Sequence, residues 1–386
     1  MGDNMTKKLF IITLLLLIIY IMIPRGKSLK VKQKNEKTEI RGIFISYIEL
    51  NNYIKNNSEK ISKINIDKII SNIKNNSFNT IYLQVRSHMD SIYDSYLFPV
   101  SKNIVLNDGS SYDVLDYFIK KAKQNKISVY AWINPYRIGS TFDKNSVYYK
   151  RVKDDIKIVN NTYYLNPASL KVTQLIVEGV EEIVKKYDVD GILFDDYFYP
   201  SNDIDFEQYK NDNLDIPIEQ YHLNNISNMI YSVNKKIKQM NKNVVFGVSP
   251  EGNIDNNYSH NFADVKKWIS EEGYVDFLMP QIYYGFDNES KPFIDVIHEW
   301  ESLAKNTNVV LFAALAFYKT GVIDNYAKGG KNEWVENSDI IKRQVLLLRE
   351  NSRYQGFSVF RYDNLFNREI QTENTIKELE NLKKVM

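Results

Sequence analysis

The chain has 386 residues, 44% of them hydrophobic and 25% charged, with a formal net charge of +2. That composition describes a globular protein with ample core, and the near-zero charge excludes the basic footprint of a nucleic-acid-binding domain. Cysteine is absent, which excludes disulfides, thiolate nucleophiles and cysteine-ligated zinc.

At the N-terminus, Lys7 and Lys8 precede an uncharged 15-residue run, Leu9–Ile23, followed by Pro24, Arg25 and Lys27. A positive segment before an apolar core has the form of a secretory signal. No small-x-small cleavage site follows it, so residues 1–24 read as a signal-anchor in preference to a cleaved signal peptide. Either form directs the remainder outward. The expected location is extracytoplasmic, with the membrane as a partner through this segment, or secreted if it is cleaved. Residues 25–38 are polar and basic and read as a linker.

From Ile40 onward, short β-branched and aromatic runs alternate with amphipathic stretches. The strand candidates are Arg41–Tyr47, Thr80–Arg86, Ser128–Asn134, Gly191–Asp195, Val244–Ser249, Asp276–Ile282, Val309–Phe317 and Gly356–Arg361. Helical patterns lie between them, near Ser62–Asn75, Asp113–Asn125, Leu170–Tyr187, Ile218–Met240, Phe262–Glu272, Pro292–Asn306 and Asn337–Asn351, with a last one from Gln371 onward. Helix starts are signalled by Ser338 with Asp339 and by Asn261 before Asp264. Strand–helix alternation repeated eight times predicts a (β/α)8 TIM barrel over residues 39–386. Three connections are long and polar: Pro135–Pro167, Pro200–Pro217 and Tyr318–Glu336. In a barrel they leave from the C-terminal ends of the strands, where active sites form.

The stretch Asp190-Gly191-Ile192-Leu193-Phe194-Asp195-Asp196-Tyr197 ends an apolar strand in two adjacent acids. Burying two carboxyls side by side is costly unless they are used. Other strand ends supply Arg86 with Asp90 beyond it, Asn134 with Tyr136, Glu251, Gln281 with Tyr283, and Asp363. Acids, amides and rings at one mouth suit a polysaccharide, whose hydroxyls bond to polar groups and whose C–H faces stack on aromatics. Glycoside hydrolysis needs one carboxylic acid and one carboxylate. Side chains alternate along a strand, so Asp195 and Asp196 are expected to face opposite ways. The catalytic candidates are therefore Asp195, Asp196 and Glu251: Asp195 as the inward group, Glu251 as the first candidate partner from another strand and Asp196 as the neighbour of Asp195, with Asp90 and Asp363 in reserve. The four histidines stand alone and show no metal-ligand spacing, and no Walker or Rossmann pattern is present. No metal or cofactor is expected.

The segments Asn79–Arg86, Ala131–Arg137, Tyr164–Pro167, Asp188–Pro200 and Pro280–Tyr283 resemble the bacterial glycosyl-hydrolase-like 10 family. The resemblance spans roughly Glu39 to Leu365. It implies a (β/α)8 glycosidase acting on envelope or extracellular glycan, since the family includes an enzyme of peptide-stripped peptidoglycan strands. The motif positions it carries over are Arg86, Asp90, Asn134, Tyr136, Asn166, Asp195, Asp196, Tyr197, Gln281 and Tyr283. On that reading Arg86, Asn134 and Gln281 position sugar hydroxyls, while Tyr136, Tyr197 and Tyr283 stack on the ring. After Ser249-Pro250 the chain has Glu251-Gly252 where many members have Phe-Gly. A second reading, from another class, is a catalytically degenerate glycan-binding protein tethered at the cell envelope.

Overall fold

A computed structural model describes residues 39–304 and 307–386. The signal-anchor and linker read into residues 1–38 lie outside the described residues. Among the described residues, no helix is long and apolar enough to cross a membrane.

Eight parallel strands close into a barrel: β1 (Ile40–Ile45), β2 (Thr80–Arg86), β3 (Ser128–Ile133), β4 (Gly191–Phe194), β5 (Val245–Val248), β6 (Phe277–Leu278), β7 (Val310–Leu315) and β8 (Tyr354–Val359). β8 pairs with β1 to complete the ring. The outer helices are α1 (Glu59–Asn75), α2 (Val114–Gln124), α3 (Leu170–Lys186), α4 (Ile218–Met240), α5 (Val265–Ser270), α6 (Phe293–Leu303), α7 (Ile340–Glu350) and α8 (Glu373–Lys383). The predicted (β/α)8 architecture is the one observed.

Two cores result, as strand alternation requires. Inward side chains form a cluster that includes Phe44, Tyr82, Tyr130, Trp132, Leu193, Phe277 and Phe312. Outward side chains join the helices in the larger core. The inner cluster is unusually aromatic, and glycines make room for it. A Cβ at Gly191 would lie 2.5 Å from the Tyr130 ring, and one at Gly247 would collide with Phe277. Among the helices, α4 shows the commonest solution. Leu223, Ile226, Ile230, Val233 and Ile237 recur every three or four residues and are buried, each burial contributing roughly 1.5–3 kcal/mol.

Two helix starts differ from expectation. α5 is capped by Asp264, which accepts from the Lys267 amide at 3.0 Å, and not by Asn261. α7 begins at Asp339, whose side chain makes no capping bond. Glu378 of α8 instead accepts from the Ile340 and Lys342 amides at 2.9 and 3.2 Å. The cap comes from a helix distant in sequence, so no local pattern could have announced it.

The connection after β3 is not a bare loop. It folds into an antiparallel sheet of Arg137–Gly139, Ile156–Val159 and Thr162–Leu165, with a short helix at Val147–Val152. Asn160 and Asn161 form its hairpin turn with φ of 48° and 60°, the left-handed pair that a two-residue turn demands.

Candidate active site

The strand ends surround a cavity of about 430 Å³ at the C-terminal mouth of the barrel. β1 contributes Phe44, with Ser46 and Tyr47 just beyond it, while β2 contributes Gln84 and β3 Trp132. Asp195, Asp196 and Tyr197 follow β4, and Ser249 follows β5. Gln281 and Tyr283 follow β6, Tyr318 follows β7 and Phe360 follows β8. The floor is a run of rings in contact. Tyr283 meets Tyr318 edge-on at 5.7 Å, Tyr318 meets Phe360 at 6.0 Å, and Phe44 bridges Phe360 and Trp132 at 5.6 and 5.5 Å. The Arg137 guanidinium sits 5.8 Å from both the Tyr47 and Tyr197 rings. A larger cavity, about 680 Å³, lies outside the barrel between α1 and α8, where Glu369 is the one acid in its lining. It holds no paired carboxyls and shares no lining residue with the cavity at the mouth.

β4 stops at Phe194, so strand alternation no longer governs the next two residues. Asp195 and Asp196 both line the mouth, which corrects the expectation that they diverge. Asp196 therefore stands at the mouth beside Asp195. Asp195 is 5% exposed. Its Oδ2 accepts from Trp132 Nε1 at 2.9 Å, and Asn134 Nδ2 lies 3.3 Å from Oδ1. Asn134 is itself held, because its Oδ1 accepts from the Arg137 amide at 2.9 Å. Burial pushes the Asp195 carboxyl up to about 6, against the opposing pull of Trp132, the Arg137 charge and Asn134. Asp196 goes further, to about 7: burial acts first, and the neighbouring Asp195 charge adds to it. The Gln281 amide partly offsets that rise, and Gln281 is anchored through Nε2 to the Ser249 carbonyl at 3.0 Å. Among the described residues, no His and acid cluster could hold a metal ion.

The sequence profile of the glycosyl hydrolase-like 10 family matches residues 39–334. The chain belongs to the glycosyl hydrolase-like 10 family. It is 26% identical to glycosyl hydrolase DigH of Escherichia coli K12, over 89% of this chain and 87% of that protein. It is also 26% identical to glycosyl hydrolase YngK of Bacillus subtilis, over 78% of this chain and 63% of that protein. Among solved structures, the PgaB (BpsB) glycoside hydrolase domain of Bordetella bronchiseptica aligns with a TM-score of 0.61 at 13% identity, covering 91% of this chain and 99% of that one. The endo-1,4-β-mannanase of Rhizomucor miehei aligns at 0.55 and 11% identity, covering 90% and 94%. At these identities the structural likeness speaks to the barrel alone. The protein is a glycoside hydrolase of the glycosyl hydrolase-like 10 family.

Not every family-motif residue reaches the mouth. Asp195, Asp196, Tyr197, Gln281 and Tyr283 line it; Asn134 is fully buried and meets the site through Asp195; the others do not reach it. Arg86 should share the inward face of Gln84 by period two. A bulge shifts the β2–β3 register between them, so Gln84 pairs with Trp132 but Arg86 with outward-facing Ile133. Its fully buried guanidinium stacks on Phe98 at 3.9 Å, outside the barrel wall. Arg137, not Arg86, is the cation that influences Asp195. Tyr136 is packed in the outer core with no exposed surface, so it is not a sugar platform. Asn166 closes a turn before α3, accepting from the Ala168 amide at 3.0 Å and donating to Gln208 at 2.7 Å. Glu251 accepts from Asn256 at 2.7 Å and Asn261 at 3.4 Å and does not line the mouth. Asp90 lines a separate cavity, and Asp363 is bound by Tyr53 and Asn52 at 2.8 and 2.9 Å. His222 does not stand alone, because it pairs with buried Asp205 at 2.9 Å.

Several mouth residues went unread. Tyr47 and Ser46 follow β1, and Tyr318 follows β7, and none of the three is among the residues expected at the site. Position after a strand was the available signal.

Proposed function

We propose that the protein hydrolyses cell-envelope or extracellular polysaccharide, with peptidoglycan glycan strands as substrate, and that Asp195 and Asp196 are the catalytic pair. The observation that carries this is two adjacent carboxyls in one aromatic-lined cavity, both with raised pKa. Asp196, the more raised, protonates the glycosidic oxygen as its bond to the anomeric carbon breaks. Asp195, oriented by Trp132 and Asn134, is the carboxylate that stabilises the positive charge at that carbon, as nucleophile or base. Water then supplies hydroxyl to the anomeric carbon and returns a proton to the pair. Tyr197 and Tyr283 offer faces to the sugar ring, and Gln281 and Arg137 offer donors to its hydroxyls. The family resemblance, together with the secretory form of residues 1–24, supports a substrate outside the cytoplasm.

The test is incubation of purified protein with peptide-free peptidoglycan strands, followed by product masses. Shortened strands are expected, with the addition of one water per cleavage. Glycan binding with no product from the wild-type protein would make it a tethered glycan-binding protein instead.

A further inference from the structure

A second cavity, about 320 Å³, opens beside the mouth between the loop after β2 and the antiparallel sheet after β3. It adjoins the active site without sharing a lining residue with it. Arg137 lines the mouth, and the next residues in the chain, Ile138 and Gly139, line this cavity. The ring of Tyr47, in the mouth, meets the ring of His88, in the cavity, edge-on at 5.5 Å. Gly139 has φ of +107°, and a Cβ there would lie 2.9 Å from the His88 ring, so backbone and imidazole are fitted at the junction.

The lining combines a ring with polar groups, as the mouth does. Phe142, partly exposed in the lining, stacks one face on Tyr149 at 5.1 Å and meets Tyr163 at a near-right angle at 4.8 Å. Asp90 faces the same space. Burial raises its pKa, partly offset by the Ser101 hydroxyl and the His88 backbone. His88 is held at Nδ1 by Ser87 at 2.8 Å. Burial, with Arg137 and Lys102 nearby, pushes its pKa down to about 4, leaving a neutral ring able to bond a hydroxyl. The inserted sheet contributes nothing to barrel closure, yet it holds one wall of this cavity.

We propose that this cavity is a distal sugar subsite, which takes a hexopyranose unit of the same glycan whose scissile bond lies at Asp195 and Asp196. Phe142 supplies the stacking face, and Asp90 and His88 the hydroxyl partners. The mouth and this cavity together make a cleft for an internal stretch of polymer. The proposal rests on the glycoside-hydrolase reading of the mouth, and its test separates the two.

Full-length protein carrying Asp195→Asn is titrated calorimetrically with β-1,4-linked N-acetylglucosamine oligomers of different length, a dimer and a hexamer. Hydrolysis by wild type is measured separately on glycan strands. The hexamer is expected to bind about tenfold more tightly than the dimer, equivalent to one good polar or stacking contact set. Adding Phe142→Ala or Asp90→Ala should remove most of that gain and leave dimer affinity unchanged. Ser140→Trp, at an exposed cavity-lining position, blocks the space without disturbing the core and should do the same. Equal affinity for both oligomers, or a length gain that survives all three substitutions, overturns the subsite. Hydrolysis by wild type with no length gain leaves the function and removes the subsite. Length gain at this cavity without hydrolysis does the reverse, and binding of neither oligomer with no hydrolysis removes both.

Discussion

Two pairs of acids stand at the strand ends of this barrel, and they are held in opposite ways. Near β1 and β8, Glu49 accepts from Arg361 at 2.6 Å, from the Ser46 hydroxyl and amide at 2.5 and 2.9 Å, and from the Asp363 amide at 3.2 Å. Asp363 in turn is bonded at both oxygens by Tyr53 and Asn52. Past β4, Asp195 is bonded by the neutral donors Trp132 and Asn134, with Arg137 acting on it through charge and not in an ion pair, and Asp196 has a like charge as its neighbour. Burial raises Glu49 as well as the mouth pair, so a raised pKa does not separate them. Partners and access do. Glu49 is closed off by a bonded cation and three further donated bonds, whereas Asp195 and Asp196 face a cavity. A satisfied buried acid shapes the rim; an acid short of cationic partners and open to a ligand is free to exchange a proton.

The largest effect that sharpens this contrast belongs to Asp195. Asp195→Asn should lower kcat/KM on glycan strands by about 10³-fold with the fold intact by circular dichroism, and wild-type turnover in that variant would remove Asp195 from the chemistry. Breaking the other pair should cost stability first. Arg361→Met leaves Glu49 buried without its cation, an expected loss of about 3 kcal/mol at neutral pH. The loss should shrink in acid as Glu49 takes up a proton. Urea titrations at pH 4 and pH 7 measure both, and an equal loss at the two values would mean that the pair is not held by charge.

Asp196 gives a pH-dependent result of opposite sign. Its folded pKa, about 7, lies above that of a free aspartate. The folded chain therefore binds the proton more tightly. The resulting stabilisation is present below about pH 4 and is lost as pH rises through about 7. Asp196→Asn removes the penalty of an ionised, half-buried acid beside a like charge. Its stability should exceed wild type by about 2–4 kcal/mol at pH 8 and match it near pH 4. Hydrolysis should be bell-shaped in the wild type, falling below about 6 as Asp195 gains a proton and above about 7 as Asp196 loses one. A flat profile across that window would break the acid and carboxylate assignment.

The barrel was legible because its signals are local and repeated. Each strand is a short apolar run, and α4 shows its buried face every three or four residues. The site was legible only as far as strand position could carry it. Asp195, Gln281 and Tyr283 follow strands and reach the mouth. Asp196 was misread because β4 stops one residue before the acids, and the length of a strand is fixed by its neighbours rather than by its own residues. The Asn160-Asn161 hairpin is different: its turn signal is present in the sequence, but the polar residues around it give the whole connection the pattern of a loop. The Glu378 cap on α7 depends on helix packing and had no local trace.

Arg86 tests the same limit and carries the smallest expected effect. It lies in a segment that resembles the family, and period two along β2 aims it at the mouth. The bulge turns it outward, where among the described residues its three guanidinium nitrogens have no hydrogen-bond partner. A buried charge without acceptors stabilises little, and an apolar side chain of similar length often serves as well. Methionine keeps a favourable contact with Phe98 through its sulfur. Arg86→Met should therefore leave kcat/KM on glycan strands unchanged and leave the melting temperature level or slightly higher. A manyfold fall in kcat with the fold intact would instead couple this guanidinium to the carboxyls across the barrel wall. The contrast between acids that build the rim and acids that work in the mouth would then need a third member on its outer face.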